Sequence, residues 1–482
     1  MNLSTVTSNF NKAQLLDYLF SGYIPSNSPI ETFVSSANKS YIDNRLTYYL
    51  DHLITVFSSN ANLDTVFTGF STKYSYFRKH CFPQNMLSYE PNDFKIIDGG
   101  EKHLTYIKAD KAWDKHRADS RIRIGFSDTY LDTLHEDLKA NISQVLTNVM
   151  PTTETFHGTA VAGCLSAITN NNIGLSSVAG NSKLVFSSNW GDNDEVRLIA
   201  RQNRVRVVNL SWFNRCVYDP DQDSFYRFIE DTLNLVVVSA AGNNNTHCGS
   251  KTAQVYPAAL PSVICVTSVC HSNPPGYICQ YVNPPRACLI EDRHEVYPGD
   301  TNSTFHHYPE VDICAPGYHP ATTHFDNTGL HNQYISGFGT SFASPIVASA
   351  CALVASFNPC LTARQIRNII IQSANPSILT IPENIKYTGL LGSGKLDVNE
   401  ALNRAENLST RYEQNINYNV NQNITNFKIT AGHHVTTGTQ GNVNVNNNAN
   451  IIYNVHHSVE LNDGFEVKNG TFEVRFTESP CY

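Results

Sequence analysis

The chain is 482 residues long, 41% hydrophobic, 11% aromatic and 16% charged, with 34 basic against 42 acidic side chains and a net charge of -8. That length and apolar fraction support a core of roughly 250 to 300 residues with material left for one or two smaller units, which excludes a mini-protein held by staples. The acidic balance, with no run of Lys and Arg long enough for a basic stripe, excludes nucleic acid as an expected partner.

Residues 1–92 are polar with helix-compatible stretches, and they end at the turn-forming Tyr89-Glu90-Pro91-Asn92-Asp93, so they read as a small separate segment. Their first 20 residues lack a basic start followed by an apolar stretch, and no window of the chain approaches 18 consecutive apolar residues; no membrane span is expected. Twelve cysteines leave the redox compartment open at this stage.

From residue 104 to residue 405, β-branched runs alternate with helical patterns. Ile122 to Ser127 is followed by His157 to Ile168, Leu184 to Ser188 by Asp194 to Gln202, and Val205 to Ser211 by Ser224 to Leu233. Further runs lie at Leu235 to Ala240, Val263 to Val269 and Val311 to Cys314. Nearly continuous apolar strands separated by helices predict an α/β fold with a mainly parallel sheet covered on both faces. Residues 408–482 turn Asn-rich with almost no helix former. Asn442 to Asn446 and Thr471 to Phe476 alternate polar and apolar at period two, which predicts a small β module.

Three segments of the central region carry chemistry. Ile122 to Thr129 is a buried-type strand ending at Asp128, and in an open α/β sheet functional groups collect beyond the carboxyl ends of the strands. An Asp in that place can also merely cap a turn. Phe156-His157-Gly158-Thr159 opens a helix of small residues that allow close approach to the sheet. Gly339-Thr340-Ser341-Phe342-Ala343-Ser344-Pro345 puts a Ser after a glycine turn at the start of an apolar helix, where it can equally be an N-cap. Pro345 reads as a first-turn residue of that helix. Together, in this chain order, the Asp, the His and the Ser match one convergent arrangement of a catalytic triad.

These segments resemble the subtilisin-like serine proteases, the subtilase family. Asp128-Thr129 with His135-Glu136-Asp137-Leu138 is similar to its Asp motif, His157-Gly158-Thr159 with Val161-Ala162-Gly163 to its His motif, and Gly339-Thr340-Ser341 with Ala343-Ser344-Pro345 to its Ser motif. The resemblance covers residues 104–405 and implies a three-layer subtilisin-like fold and a serine endopeptidase acting on protein or peptide. Ser341 would be the nucleophile, His157 the base and Asp128 the orienting acid. Val236 to Asn243 resembles the oxyanion-hole segment, which assigns Asn243 as donor to the developing oxyanion. Substrate contacts are expected from Ser211, Trp212, Phe213, Ala240, Ala241 and Gly242. Here Trp212-Phe213 replaces the family's usual Leu-Gly, so Phe213 is expected to reshape the groove and Trp212 to line an apolar subsite.

The resemblance calls for no cofactor in the chemistry. It does imply a structural calcium held by Asp137 and the loop residues Thr169, Asn171, Ile173 and Leu175, oxygen ligands of the type calcium takes; an ordinary Asn-Gly turn explains the same residues. Zinc is not expected, because His306-His307, His433-His434 and His456-His457 are adjacent pairs without ligand spacing.

Cys164, Cys265, Cys314 and Cys351 fall in expected core elements. Cys216 and Cys248 each follow the end of a strand in the same sheet and are expected to pair, with a second bridge among Cys270, Cys279 and Cys288. Bridges imply an oxidising compartment, so the chain is expected to be secreted or at the cell surface, with residues 1–92 as a propeptide-like or accessory segment and the numbering starting after a removed leader. The competing reading is a surface-binding protein that keeps the shell without the chemistry. Oligomeric state is not legible.

Overall fold

The computed structural model describes residues 89–93, 102–150, 156–243, 248–271, 278–279, 286–287, 292–294, 305–326, 328–477 and 481. Residues 1–88, where the propeptide-like segment is expected, lie outside them. One compact unit comprises residues 90–409 and 479–482, and a second contains residues 410–478.

In the first unit eight strands form one sheet: β1 Arg123–Ser127, β2 Ile142–Thr147, β3 Lys183–Ser187, β4 Val205–Leu210, β5 Val236–Ala240, β6 Val263–Cys270, β9 Ile313–His324 and β10 Gln333–Phe338. A short antiparallel pair, β7 Ile278–Cys279 and β8 Arg286–Ala287, lies between β6 and β9 in the chain. The sheet order is β10-β9-β6-β5-β4-β1-β3-β2, parallel throughout except for the antiparallel β9–β10 edge. The helices are α1 Lys102–Tyr106, α2 Ala109–Ala112, α3 His157–Ser166, α4 Asn193–Ala200, α5 Pro220–Asp231, α6 Thr340–Phe357, α7 Ala363–Gln372 and α8 Val398–Ser409.

Strand β4 shows why the layers form. Val208 and Leu210 join a core cluster with Ile199 of α4 and Tyr226 and Ile229 of α5. Asn209, between them in sequence, points to the other face, where its Oδ1 accepts a hydrogen bond from Ser344 of α6 at 2.7 Å. Side chains that alternate across a strand buried on both sides require helices on both sides. Helix α6 is the one helix among the described residues long and apolar enough to cross a membrane. All its residues but Ser341 are buried, as expected of a helix that is apolar all round at the centre of a large core.

The structure departs from the sequence reading at the sheet edges. Strand β9 runs through Pro316 and Pro320 to His324 and folds back as β10, where the apolar pattern alone ended near Cys314. β9 is paired on both sides, and the ladders shift register where the prolines fall, next to Val269 opposite Pro316 and between Ser336 and Phe338 opposite Pro320; a ladder tolerates proline at such irregularities. Edge strand β2, Ile-Ser-Gln-Val-Leu-Thr, is only partly buried along its length and lacked a continuous apolar signal.

Residues 410–478 form a coil of parallel strands rather than hairpins. One sheet has the order β11-β13-β15-β17, Thr410–Glu413, Gln422–Ala431, Ala449–Leu461 and Gly470–Phe476. The other is β12-β14-β16, Ile416–Tyr418, Val443–Val445 and Phe465–Val467. Every pairing is parallel, and successive strands alternate between the two sheets. The chain turns corners at residues with positive φ, Asn415, Asn447 and Asn448, an arrangement that favours Asn. Tyr418, Ile424, Val445, Ile451, Tyr453 and Val455 fill the space between the sheets.

Cys216 and Cys248 are disulfide-bonded, with Cα atoms 5.5 Å apart. Cys360 and Cys481 form a bridge that the sequence did not suggest. Cys164, Cys265, Cys314 and Cys351 are free and buried, as expected of small apolar residues in a core. Cys270 is also free and buried, at the end of β6, which removes it from the expected second bridge; the Cys279 and Cys288 side chains lie outside the described residues.

Candidate functional site

Strand β1 has β3 on one side and β4 on the other, so the strand order reverses there. A crevice beyond the carboxyl end of β1 is therefore built into the topology. Asp128 is the first residue past that end. It is buried, and its Oδ1 accepts from the Thr129 N–H at 2.7 Å and contacts His157 Nδ1 at 2.7 Å. Among the described residues Asp128 Oδ2 is buried with no hydrogen-bond partner. The short contact assigns the proton to Nδ1 of the imidazole and leaves the Nε2 lone pair as the acceptor.

His157 is the first residue of α3, and the turn that presents it is clamped to the loop carrying Asp128. The Gly158 N–H donates to Thr129 Oγ1, and Thr159 Oγ1 both donates to the Tyr130 carbonyl and accepts from the Asp132 N–H. A Cβ on Gly158 would stand 2.5 Å from the Tyr130 carbonyl oxygen, closer than any real contact. The glycine after the His is thus a requirement of close approach, and it sets the Asp to His distance.

Ser341 lies in the first turn of α6. Its neighbour Phe342 places a ring 5.8 Å from the His157 imidazole. Ser341 Oγ donates to the Ser211 carbonyl at 3.2 Å, and Ser211 Oγ donates to the Ser341 carbonyl at 2.8 Å. The reading of Pro345 is corrected here. Pro345 lies inside α6 rather than in its first turn, and its missing N–H would have bonded to the carbonyl four residues earlier, that of Ser341. Ser211 Oγ–H occupies that freed acceptor. Ser211 Oγ in turn accepts from Asn209 Nδ2 at 3.0 Å, so a hydrogen-bonded line runs from inside the sheet to the turn that carries Ser341.

Asn243 follows the end of β5. Its Oδ1 accepts from the Thr340 N–H at 2.9 Å, and Thr340 Oγ1 accepts from the Gly242 N–H at 3.1 Å. Holding the oxygen fixes the amide and aims Nδ2 toward Gly339, where an added Cβ would lie 3.2 Å from it; Gly339 also has φ 129°, which L side chains rarely adopt. Ala240 and Ala241 are buried beside Gly242 at the base of this turn.

The expected lining role of Trp212 is not what the structure gives. The indole is 5% exposed, belongs to the core beneath the site, and donates its Nε1–H to the Ser127 carbonyl at 3.0 Å. It braces the end of β1 one residue before Asp128. Its partner group is the last carbonyl of the strand, which a Leu at this position would leave to other donors. Phe213 is half-buried and packs against the same core cluster.

A second cluster surrounds Asp137, in the loop between β1 and β2. Asp137 Oδ2 accepts from the Leu175 N–H at 3.0 Å and Oδ1 from the Asn171 amide at 2.7 Å, while the Asn171 oxygen accepts from the Ile173 N–H. Burial pushes the Asp137 carboxyl up to about 8, with the Asp93 and Glu136 carboxylates adding to the effect and the Leu175 and Asn171 bonds opposing it. Asp93 was read only as part of a turn. It is buried, with one oxygen accepting from Ser176 Oγ and the other from the Asn171 N–H. Among the described residues no three His, Cys, Asp or Glu side chains are close enough to hold a metal by themselves. The fit to a cation rests on donor chemistry: a carboxylate whose ionised form is disfavoured by burial and by like charges, in a loop rich in oxygen donors including Thr169 Oγ1.

Comparison with known proteins follows the same region. The model of the subtilase family matches residues 119–432. Subtilisin DY of Bacillus licheniformis is 30% identical over 288 residues, covering 56% of this chain and 90% of that protein. The thermophilic serine proteinase of Bacillus sp. strain AK1 is 30% identical, covering 56% of this chain and 60% of its own length. Subtilisin-like protease 1 of Plasmodium falciparum is 29% identical and is spanned over only 37% of its length. A solved protease structure from Pseudoalteromonas arctica PAMC 21717 aligns with a TM-score of 0.47 and 20% identity, covering 65% of this chain and 97% of that one.

Proposed function

Because the chain belongs to the subtilase family of serine endopeptidases, we propose that Asp128, His157, Ser341 and Asn243 are the groups through which it hydrolyses peptide bonds. The observation that carries this assignment is the 2.7 Å contact between buried Asp128 and His157 Nδ1 beyond the end of β1. Ser341 Oγ leaves the Ser211 carbonyl, passes its proton to His157 Nε2 and forms a bond to the substrate carbonyl carbon. His157 then returns the proton to the leaving amine, and water repeats the sequence on the acyl-enzyme. The buried Asp128 carboxylate holds the imidazole in the required tautomer and stabilises the imidazolium.

Negative charge develops on the carbonyl oxygen only in the tetrahedral intermediate. A donor already fixed before the reaction stabilises it without reorganisation, and the Asn243 amide, pinned through Oδ1 by Thr340, meets that condition. The Ser341 N–H at the start of α6 is the second donor, aided by the helix dipole. Ser211 to Phe213 and Ala240 to Gly242 flank the cleft as the two backbone segments against which an extended peptide would lie. Labelling by a fluorophosphonate at Ser341, lost in Ser341→Ala and in protein denatured beforehand, tests the assignment; labelling that persists in Ser341→Ala would overturn it.

Calcium would be held by Asp137 with Asn171 and backbone or side-chain oxygens of Thr169, Ile173 and Leu175. It would supply the positive charge that the buried carboxylates lack. Chelation is expected to lower Tm by several degrees in wild type and to have no effect in Asp137→Asn. The bridges Cys216–Cys248 and Cys360–Cys481 support export to an oxidising compartment, which localisation of the tagged chain would check.

A further inference from the structure

The coil of residues 410–478 ends on β17, which is the edge strand of its sheet among the described residues. Parallel coils of this type bury each rung under the next, and a last rung is normally covered, broken or made polar. This one is not. Phe472 and Val474 are only half-buried and pack on the interior cluster, while Phe476 and, in the other sheet, Val467 are 53% and 45% exposed. On the outer face Arg475 pairs with Glu473 of the same strand at 2.7 Å.

The order of residues in this edge is self-complementary. Phe472-Glu473-Val474-Arg475-Phe476 run antiparallel against itself about Val474 sets Phe472 opposite Phe476 and Glu473 opposite Arg475 at both ends. The backbone has the matching parity. The Thr477 N–H donates to the Val455 carbonyl of β15, so at period two the polar backbone groups of 473 and 475 face β15, and those of 472, 474 and 476 face outward. Pairing about Val474 therefore uses 472, 474 and 476 as the hydrogen-bonded positions. Glu473 and Arg475 then fall at the non-hydrogen-bonded positions, where opposing side chains are closest. One shift of register would break both the apolar match and the charge match.

We propose that two copies of this chain associate through β17, antiparallel and centred on Val474, about a two-fold axis perpendicular to the sheet. The interface is isologous and closes after two copies, because the same edge of both copies is used up in the pairing. It extends the apolar interior of one coil into that of the other and exchanges the Glu473 and Arg475 pair within a strand for two such pairs across the axis. The inference is independent of the peptidase assignment.

Sedimentation equilibrium of the full chain across the micromolar range tests it. Wild type is expected to show a concentration-dependent monomer to dimer equilibrium. Glu473→Arg and Arg475→Glu, each placing like charges opposite one another twice, are expected to weaken it about tenfold or more. The double variant Glu473→Arg/Arg475→Glu, in which the opposed pairs are restored with signs exchanged, is expected to recover wild-type association. Far-ultraviolet circular dichroism and peptidase activity, read in parallel, are expected to be unchanged in all three. A wild type that stays monomeric, a dimer indifferent to Glu473→Arg, or a folded double variant that fails to recover would each overturn the proposal. The last two outcomes would point to a different surface or to another occupant of the edge.

Discussion

The two units of this chain both rest on parallel strands, yet they reach that state by opposite routes. In residues 90–409 each strand is separated from its parallel neighbour by a crossover of a dozen or more residues, and the helices so placed cover both faces. In residues 410–477 the strands, apart from the longer connection between β13 and β14, turn through corners of two or three residues and cover one another from two sheets. The first route brings groups more than two hundred residues apart, such as Asp128 and Ser341, to the carboxyl ends of the neighbouring strands β1 and β4. The second brings together only rungs that follow each other, as in the Asn417 to Asn444 and Asn419 to Asn447 side-chain bonds. Long-range convergence can assemble unlike groups in one place, as the proposed site requires, whereas local stacking makes a surface that repeats until it stops.

That contrast has measurable consequences, the largest in the first unit. Ser341→Ala is expected to lower kcat roughly 10⁴-fold or more, with Tm unchanged because Ser341 contributes little to the core; hydrolysis of a chromogenic peptide and a thermal melt check both. Asn243→Ala is expected to cost roughly 10²–10³ in kcat with KM nearly constant, since in the proposed role the amide would act on charge present only in the transition state. Gly158→Ala forces a Cβ against the Tyr130 backbone. It is expected to reduce kcat at least tenfold through displacement of His157 and to lower stability by about 1–3 kcal/mol. Activity retained at wild-type level would show that the clamp between the His turn and the Asp loop does not set their distance.

Smaller effects separate core electrostatics from the coil. Burial raises the Asp312 carboxyl from 3.8 to about 6, against the bond it accepts from the Cys265 N–H. Between those values the folded chain binds more proton than the unfolded one, so stability falls as pH rises from 3.8 toward 6 and is level above. Asp312→Asn is expected to remove that contribution, on the order of 2–3 kcal/mol, seen as a drop in Tm across the interval that is smaller than in wild type, the part due to Asp137 remaining. Asn444→Ala, which breaks one rung-to-rung bond of the coil, is expected to cost about 0.5–1.5 kcal/mol in that unit and to leave kcat untouched. A changed kcat would mean that the units are not energetically separate.

Much of this was legible residue by residue. The strand runs from Ile122 to Val269, the helix begun by His157 and the apolar helix begun near Ser341 follow from period and composition, because a two-face-buried strand and an all-round-buried helix leave strong apolar signals. The edge strands β2 and β10 were not legible, since strands exposed on one side share their pattern with loops. Trp212 and Pro345 were misread for a common reason. What each does depends on a carbonyl elsewhere, that of Ser127 for the indole and that of Ser341 for the proline, and a linear pattern does not carry that information. Asp93 was missed for the same reason, since its partners lie near residue 171 and residue 176.

The amino-acid sequence by itself supplied the residues proposed as nucleophile, base, acid and oxyanion donor and their order along the chain, because those roles need particular functional groups. It also determined that the tail would be strands, since alternation at period two is a local property. Only the tertiary structure decided that the tail's strands pair in parallel, that Asn243 is held by Thr340, and that β17 is the edge strand of its sheet among the described residues. Each of those depends on which segment becomes a neighbour, and that is settled when distant parts of the chain bury their apolar faces together.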